Sequence, residues 1–368
     1  MIPVSKPKIF KQDIKNVSKS LRDGWISSDG PQVLKFENKF AKYIGKKYCI
    51  SVSSGTAALD IAIKCLNLKK NDEVIIPNFT IISNALAVLR QGAKPIFVDC
   101  GLNDWNIDLE DLKKKISKKT KAIIVTHIYS YSNHMEKIVK ICKAHKIKII
   151  EDAAEVLGLK YKNKFCGAYG DMGTFSFYAN KHITTGEGGM ICTNNFNYYK
   201  KCKSLRNLCF GKVNRFNHDD LGWNYRMTNM QASIGISQLD NINKVIKKKI
   251  YIGKYYYNNF KDNKFIQILP PYKDGLINIY WVVGIVIKNK KILAKKIIDI
   301  LKKNNIGSRP FFWPMHKQEI LIKMKQVKHK YYPNSEFISK YGLYLPSYVD
   351  LKKKDLDKII KIVNNNIK

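Results

Sequence analysis

Residues 173–193 read GTFSFYANKHITTGEGGMICT, a pattern that predicts two strands joined by a polar loop. The first six residues are rich in large rings, which suit a half-buried pleated surface. The glycines of TTGEGG permit a backbone path that other residues avoid, and GGMICT resumes as a second strand. Lys181 is thereby placed at a strand end, between two buried elements. Burial there would disfavour the ammonium form and leave a nucleophilic amine.

Position alone does not make Lys181 catalytic, because the chain has 66 Lys and Arg residues and most loop lysines are simply solvated. Upstream, however, KIKIIEDAAE predicts a buried strand that ends in Glu151 and Asp152. A strand-end carboxylate followed by a strand-end lysine suits pyridoxal 5′-phosphate (PLP), since the lysine forms the Schiff base and the carboxylate keeps the pyridine nitrogen protonated. We therefore expect Lys181 and Asp152 to be catalytic.

A possible anion seat lies nearer the start of the chain. YCISVSSGTAALDIAIKCL predicts a strand, a turn over residues 53–56 and a helix from Ala57. A Ser/Gly/Thr turn that opens a helix offers free N–H groups, hydroxyls and the positive end of the helix dipole. An ordinary N-cap explains the same residues equally well.

From Glu73 onward, buried apolar strands alternate with amphipathic helices as far as KIKIIED. This alternation predicts a mostly parallel sheet with a ligand at the carboxyl ends of its strands. Asp99 and Tyr129 also fall at such ends, although a turn role suits Asp99 better. Residues 221–260 read as a polar turn followed by one long helix. We predict an α/β fold with a large PLP-binding domain, 1–245, and a small C-terminal α/β domain, 246–368.

The formal net charge of +37 would usually suggest a nucleic acid or membrane partner. The lysines are spread along the whole chain, however, without an arginine-rich arm or an RNA-binding motif. We expect neither partner, and a positive field that attracts anionic substrates. The eight cysteines show no CxxC or metal spacing, which predicts reduced core thiols and no metal site. Without a signal peptide or a run of about 18 apolar residues, the protein is expected to be soluble and cytoplasmic.

Seven motifs follow one another along the chain: WISSDGP, SSGTAAL, EDAAEVLG, FSFYANKHITTGEGGM, NYRMTNMQASIG, RPFFWPMH and GLYLPSY. In this order they resemble the PLP-dependent sugar aminotransferases of the DegT/DnrJ/EryC1/StrS family, which have the aspartate aminotransferase fold, PLP fold type I. The loop NK-ITTGEGG together with EDAAE is similar to perosamine-synthase-type members, which aminate C4 of a nucleotide-linked 4-keto-6-deoxyhexose.

The resemblance implies roles for individual residues. Lys181 would be the Schiff-base lysine and proton shuttle, Asp152 the partner of the pyridine nitrogen, and Glu155 the acid beside O3′ of the cofactor. Ile81 stands where the family usually has a ring that stacks on the pyridine, so apolar contact would replace stacking. Ser130 stands where the family usually has Gly after the strand-end Tyr.

Other implied contacts concern the cofactor phosphate and the substrate. The phosphate would be held by residues from two motifs, namely Gly55, Thr56, Ala57 and Ser176. Asn224 would reach the same phosphate from the neighbouring subunit, which implies a homodimer with shared active sites. Ser28, Arg309 and His316 would contact substrate.

The implied reaction moves the amino group of L-glutamate to C4 of a nucleotide-linked keto sugar, with PLP cycling through pyridoxamine phosphate (PMP), for glycan biosynthesis. The nucleotide (UDP, dTDP or GDP) and the C4 stereochemistry stay open. A nucleotide-sugar 3-aminotransferase is the main alternative, because no local motif fixes C3 or C4. A sugar dehydratase or a non-catalytic sensor would lack the lysine, and a nucleic-acid-associated protein would need a binding module for which no segment is left.

Overall fold

The computed structural model describes residues 1–132, 134–211, 213–273, 275–329 and 331–368, and its largest sheet has seven strands. In spatial order these are β1 (Tyr48–Val52), β9 (Gly189–Thr193), β8 (Met172–Ser176), β5 (Lys148–Asp152), β4 (Thr120–Thr126), β2 (Glu73–Pro77) and β3 (Lys94–Val98). Strand β9 pairs antiparallel with both β1 and β8, and the remaining pairings are parallel. The predicted mostly parallel sheet is confirmed.

Helices cover this sheet. They are α1 (Lys11–Arg22), α2 (Pro31–Ile44), α3 (Gly55–Cys65), α4 (Ser83–Leu89), α5 (Leu109–Lys115), α6 (Met135–Ala144), α7 (Phe196–Leu205) and α8 (Asn229–Asp240). Successive strand residues point to opposite faces of a sheet. Ile123 and its neighbour Ile124 are both fully buried but pack in different apolar clusters. The sheet is therefore buried on both faces, as the continuous apolar strands require.

The last third of the chain forms a second, antiparallel sheet. Its strands, in spatial order, are β10 (Ile266–Ile268), β13 (Val283–Ile287), β15 (Gly342–Leu345) and β14 (Arg309–Pro310). Two short hairpins pair β6 (Lys160–Tyr161) with β7 (Lys164–Phe165) and β11 (Tyr272–Lys273) with β12 (Leu276–Ile277). The helices of this part are α9 (Ile242–Phe260), α10 (Ala294–Lys303), α11 (Glu319–Lys323), α12 (Pro333–Tyr341) and α13 (Lys353–Asn366). Single 3-10 turns lie at Ile128–Ser130 and Met315–Lys317.

The one long helix predicted up to residue 260 is in fact two helices. Asn241, with φ −101° and ψ 3°, separates α8 from α9, and its side-chain amide donates to the carbonyl of Ser237 at 2.9 Å. Asn competes with the helix for backbone hydrogen bonds, which explains the break. The boundary predicted between residues 245 and 246 falls inside α9, and the division into two domains stays a prediction.

The carboxyl ends of β1, β2, β4, β5 and β8 meet at one edge of the large sheet, and the segments that follow them gather there. All eight cysteines are free and buried. Over the described ranges, no helix has both the length and the apolar character that crossing a bilayer requires.

Candidate active site

Lys181 lies in a loop that folds back onto the strand before it. The N–H of Lys181 donates to the carbonyl of Tyr178 at 2.9 Å, and the N–H of Thr185 donates to the carbonyl of Phe177 at 3.0 Å. Gly188 has φ +153°, and a Cβ on it would collide with the Thr185 hydroxyl. The loop therefore needs glycine at this position, and it holds the lysine close to the end of β8.

A cavity of about 340 Å³ opens at this edge of the sheet. It brings together most of the residues selected from the sequence: Lys181, Asp152, Glu155, Gly55, Thr56, Ile81 and Ser176. Asp152 ends β5 and Ser176 ends β8, while Gly55 begins α3. The shared strand direction is what gathers these side chains, since parallel strands end at the same edge.

The two acids of the cavity are buried and hydrogen-bonded. Asp152 accepts from the N–H of Ala154 and from Nδ2 of Asn84, both at 3.2 Å. Glu155 accepts from the N–H of Tyr129 at 2.7 Å. Burial raises the pKa of both carboxyl groups above the ordinary value, and these hydrogen bonds together with the nearby charge of Lys181 oppose that rise only in part.

The Lys181 amine is shifted in the complementary direction. Burial lowers its pKa, and the charges of Glu155 and Asp152 counteract this only in part. The upward shift of the acids and the downward shift of the amine bring their pKa values closer together. A smaller difference in pKa lowers the cost of moving a proton between them.

The start of α3 forms a small polar seat. The Ser54 hydroxyl accepts from the N–H of Ala57 at 3.1 Å and caps the helix. A Cβ on Gly55 would lie 2.9 Å from Cβ of Ser176, so only glycine lets that hydroxyl-bearing residue come so close. The Thr56 hydroxyl lies 3.0 Å from that of Ser83. The first N–H groups of a helix lack intrahelical acceptors, so this seat suits an anion.

A second cavity of about 290 Å³ adjoins the first, and Lys181 and Trp281 line both. Residues 4–8 of the N-terminal segment form one wall of it. Arg309, on β14, is exposed and lines this second cavity, so the structure places it next to the lysine loop rather than in the first cavity.

Four selected residues line neither cavity. The N–H of Ala57 is already occupied by Ser54. His316 is buried, with one ring nitrogen bonded to Asn78 and the other to Glu336 at 3.0 Å. Ser28 lines a separate cavity of about 110 Å³.

The fourth of these residues, Asn224, is exposed outside the cavities, although the carbonyl of the next residue, Tyr225, accepts from the N–H of Ser53 at 2.9 Å. A single chain therefore does not bring Ser28 or Asn224 to Lys181.

Sequence reasoning missed Trp281, which lies against the lysine. Nζ of Lys181 is 3.7 Å from the centroid of the Trp281 ring. The motif YWVVGIVI predicts only a strand, and nothing in it signals a contact with a loop 100 residues earlier. Asn84 was missed as well, although its place after β2 could have marked it.

Ser130 stands where the sequence resemblance would place a glycine after Tyr129, and the structure shows how a serine fits there. Tyr129 and Ser130 have φ +47° and +67°, in the left-handed region that favours glycine. The Ser130 hydroxyl donates to the carbonyl of Glu155 at 3.0 Å and accepts from the N–H of Trp281. Two hydrogen bonds thus offset the strain and fix the path of this loop.

The model of the DegT/DnrJ/EryC1/StrS aminotransferase family matches residues 7–364. The chain belongs to this aminotransferase family. Among its relatives, GDP-perosamine synthase of Escherichia coli O157:H7 is 37% identical over 366 residues, covering 99% of this chain and 98% of the relative. The dTDP-3-amino-3,6-dideoxy-alpha-D-galactopyranose transaminase of Aneurinibacillus thermoaerophilus is 33% identical, covering 95% and 93%.

Solved structures of aminotransferases share the fold. Helicobacter pylori PseC, an aminotransferase involved in the biosynthesis of pseudoaminic acid, superposes with a TM-score of 0.93 at 26% identity, covering 100% of this chain and 99% of PseC. The predicted aspartate aminotransferase-like fold is confirmed, and with it the membership in the DegT/DnrJ/EryC1/StrS family that the motifs implied.

Proposed function

We propose that the protein is a PLP-dependent aminotransferase that moves the amino group of L-glutamate to C4 of a nucleotide-linked 4-keto-6-deoxyhexose. The product would be a nucleotide-4-amino-4,6-dideoxyhexose, of the viosamine or perosamine type, for glycan biosynthesis. The observation that carries this proposal is the Lys181 amine facing Asp152 and Glu155 at the carboxyl edge of the sheet. The 37% identity to GDP-perosamine synthase supports amination at C4.

The residues of the cavity fit PLP. The start of α3, with Gly55, Thr56 and the nearby Ser176, suits a phosphate, and the close approach of Gly55 to Ser176 forms a cradle that a Cβ would fill. Asp152 provides a buried carboxylate for a ring nitrogen, and Ile81 provides apolar contact for a ring. When bound, the PLP and PMP pair carries the amino group between donor and acceptor and withdraws electrons from the reacting carbon.

The chain's own residues would handle the protons. Lys181 Nζ, with its pKa lowered by burial, removes the proton from Cα of L-glutamate and later delivers one to C4 of the sugar. Asp152 would keep a proton on the ring nitrogen of bound PLP, and the hydrogen bonds from Ala154 and Asn84 hold its carboxylate in place. Arg309 in the second cavity is a candidate partner for an anionic part of the substrate.

The proposal includes a homodimer with shared active sites, located in the cytoplasm. Asn224 and Ser28 lie outside the two cavities that Lys181 lines in their own chain, and a second subunit would let them face the neighbouring site. The eight free, buried cysteines fit a reducing compartment such as the cytoplasm. Cell fractionation checks this location.

A nucleotide-sugar 3-aminotransferase is a second candidate. The observation that favours it is the 33% identity, over 95% of the chain, to a transaminase named for a 3-amino sugar.

The test is to incubate the protein with PLP, L-glutamate and UDP-, dTDP- or GDP-linked 4-keto-6-deoxy sugars, with the 3-keto isomers in parallel. We expect 2-oxoglutarate and a new amine at C4, located by NMR. An amine at C3 would replace the C4 assignment with the second candidate. No transamination of any keto sugar would overturn the proposed function.

A further inference from the structure

Trp281 makes the shortest cation–aromatic contact among the described residues. Its ring centroid is 3.7 Å from Nζ of Lys181, whereas the other such contacts measure 4.7–5.4 Å. Trp281 is 6% exposed, so water screens this contact less than it screens the pairs on the surface. Attraction between a cation and an indole face is strongest when both are desolvated.

All the polar groups of Trp281 are engaged. Its indole Nε1 donates to the carbonyl of Asn180 at 2.9 Å, and its backbone N–H donates to the hydroxyl of Ser130. Its carbonyl accepts from Nζ of Lys249 at 2.8 Å. These contacts fasten the Trp281 ring to the residue before Lys181, and the Trp281 backbone to the loop that touches Glu155. The indole therefore cannot turn away from the amine without breaking the hydrogen bond from its Nε1 to Asn180.

Several titratable or charged groups share the surroundings of the Lys181 amine. Asp152 and Glu155 attract its charge, while the ring of the neighbouring His182 is also buried. Others line the two adjoining cavities, namely Glu187, Lys249, Arg309 and Tyr344. Among these partners, the indole differs because it attracts a cation without competing for the proton.

We propose that Trp281 belongs to the catalytic site, as an aromatic platform that holds the Lys181 amine and stabilises its protonated form between proton transfers. This role rests on the proposed function. Burial alone would leave the amine a ready base that holds a proton poorly. The indole face counteracts this, because it favours the ammonium and offers no lone pair that competes for the proton.

The test measures the pKa of Lys181 directly. The full-length protein, stripped of cofactor, is labelled with a trace of an amine-acylating reagent over a range of pH, and the rate at Lys181 is followed by mass spectrometry. Trp281→Leu should lower the midpoint of this profile by about one pH unit, a roughly tenfold change in protonation equilibrium. Trp281→Phe keeps a weaker aromatic face. It should lower the midpoint by about half a pH unit, a roughly threefold change in the same equilibrium.

A matched control is Tyr251→Leu, which removes another lysine–aromatic pair, that of Lys248 with Tyr251 at 4.7 Å on α9. It should leave the Lys181 midpoint unchanged. An unchanged midpoint in folded Trp281→Leu would overturn the platform, as would an equal fall in the control. If Trp281→Leu does not fold, Trp281→Phe decides, since an unchanged midpoint there has the same meaning. The labelling needs no turnover, so the two proposals can fail separately. If the protein is an active transaminase but the Lys181 midpoint does not fall in the Trp281 variants, only the platform is contradicted. If the midpoint falls but no keto sugar is transaminated, only the proposed function is contradicted.

Discussion

Lys181, which is half-buried, and Lys249, which is buried, contact the same tryptophan, but their amines meet different partners. Nζ of Lys249 donates to the carbonyls of Trp281 and Ser347 and to the Ser347 hydroxyl. Nζ of Lys181 has no hydrogen-bond acceptor within the described part of the chain; it faces carboxylates and the indole ring. Burial lowers the pKa of both amines, and that of Lys249 falls to about 7.

This difference shows that burial alone does not make a lysine reactive. The carbonyls around Lys249 occupy its N–H groups and fix it as a structural link between α9 and the segment after β15. Charges and a ring restrain Lys181, and among the described residues no carbonyl or hydroxyl accepts from its amine. Its amine therefore stays available to a ligand, which is what a nucleophile or a base requires.

The largest expected effect comes from removing the reactive amine. Lys181→Ala should lower the rate of 2-oxoglutarate formation by at least about 10²–10⁴-fold, the contribution of a positioned acid–base group. Lys249→Met should cost far less, because it removes a structural link. The exposed Lys248→Ala is the control for a loss of positive charge on α9 and should match the wild type. Substantial turnover by Lys181→Ala would remove the contrast between the two lysines.

The second prediction concerns how Lys249 makes the stability of the fold depend on pH. The ordinary pKa of a lysine amine is 10.5, and burial lowers the pKa of Lys249 in the folded protein to about 7. Between pH 7 and pH 10.5 the unfolded chain therefore binds one more proton than the folded protein. The free energy of unfolding therefore rises with pH across this window, by up to about 1.4 kcal/mol per pH unit. Lys249→Met lacks this rise. Urea unfolding at about pH 7 and about pH 9 should show the wild type gaining about 2–3 kcal/mol more than the variant.

The control for this measurement is again Lys248→Ala, whose lysine is exposed, and it should follow the wild type. Parallel pH dependence in the wild type and Lys249→Met would show that the buried amine titrates near its ordinary pKa. The two lysines would then differ in burial energy as well as in partners.

The smallest expected effect tests whether the Lys181 site, unlike that of Lys249, needs a second subunit. Asn224→Ala should weaken PLP binding by about 10–100-fold, the loss of one hydrogen bond to a charged group. An equal mixture of Asn224→Ala and Lys181→Ala, unfolded and refolded together, should recover about a quarter of the wild-type activity. Half of the dimers would then be mixed, and each mixed dimer would have one intact site. No recovery, with dimers present by sedimentation, would contradict shared sites.

The sequence allowed the lysine loop, the strand-end acid and the parallel sheet to be predicted because each depends on local pattern. Apolar runs mark β5 and β8, and the direction of parallel strands then brings Asp152 to Lys181. Glu155 was found only through the family resemblance, since one more acid after a strand has no distinguishing pattern.

What was missed depends on contacts between distant segments. Trp281 meets Ser130 across 151 residues, and no local pattern encodes such a pairing. The break at Asn241 was missed because the apolar spacing continues across it, through Leu239, Ile242 and Val245. His316 sits in a motif with its neighbours, but its two ring nitrogens are occupied by residues from other elements.

The contacts of Lys249 also bear on the order in which the molecule can be completed during synthesis. Its acceptors at Trp281 and Ser347 lie 32 and 98 residues further along the chain. At about 5–20 residues per second, the Ser347 carbonyl emerges about 5–20 s after the lysine that it receives. Until then water has to hydrate the Lys249 ammonium, so the inner face of α9 cannot close before Ser347 has been synthesised. The Trp281 carbonyl, which accepts from the same amine, consequently waits for a residue 66 positions further along the chain.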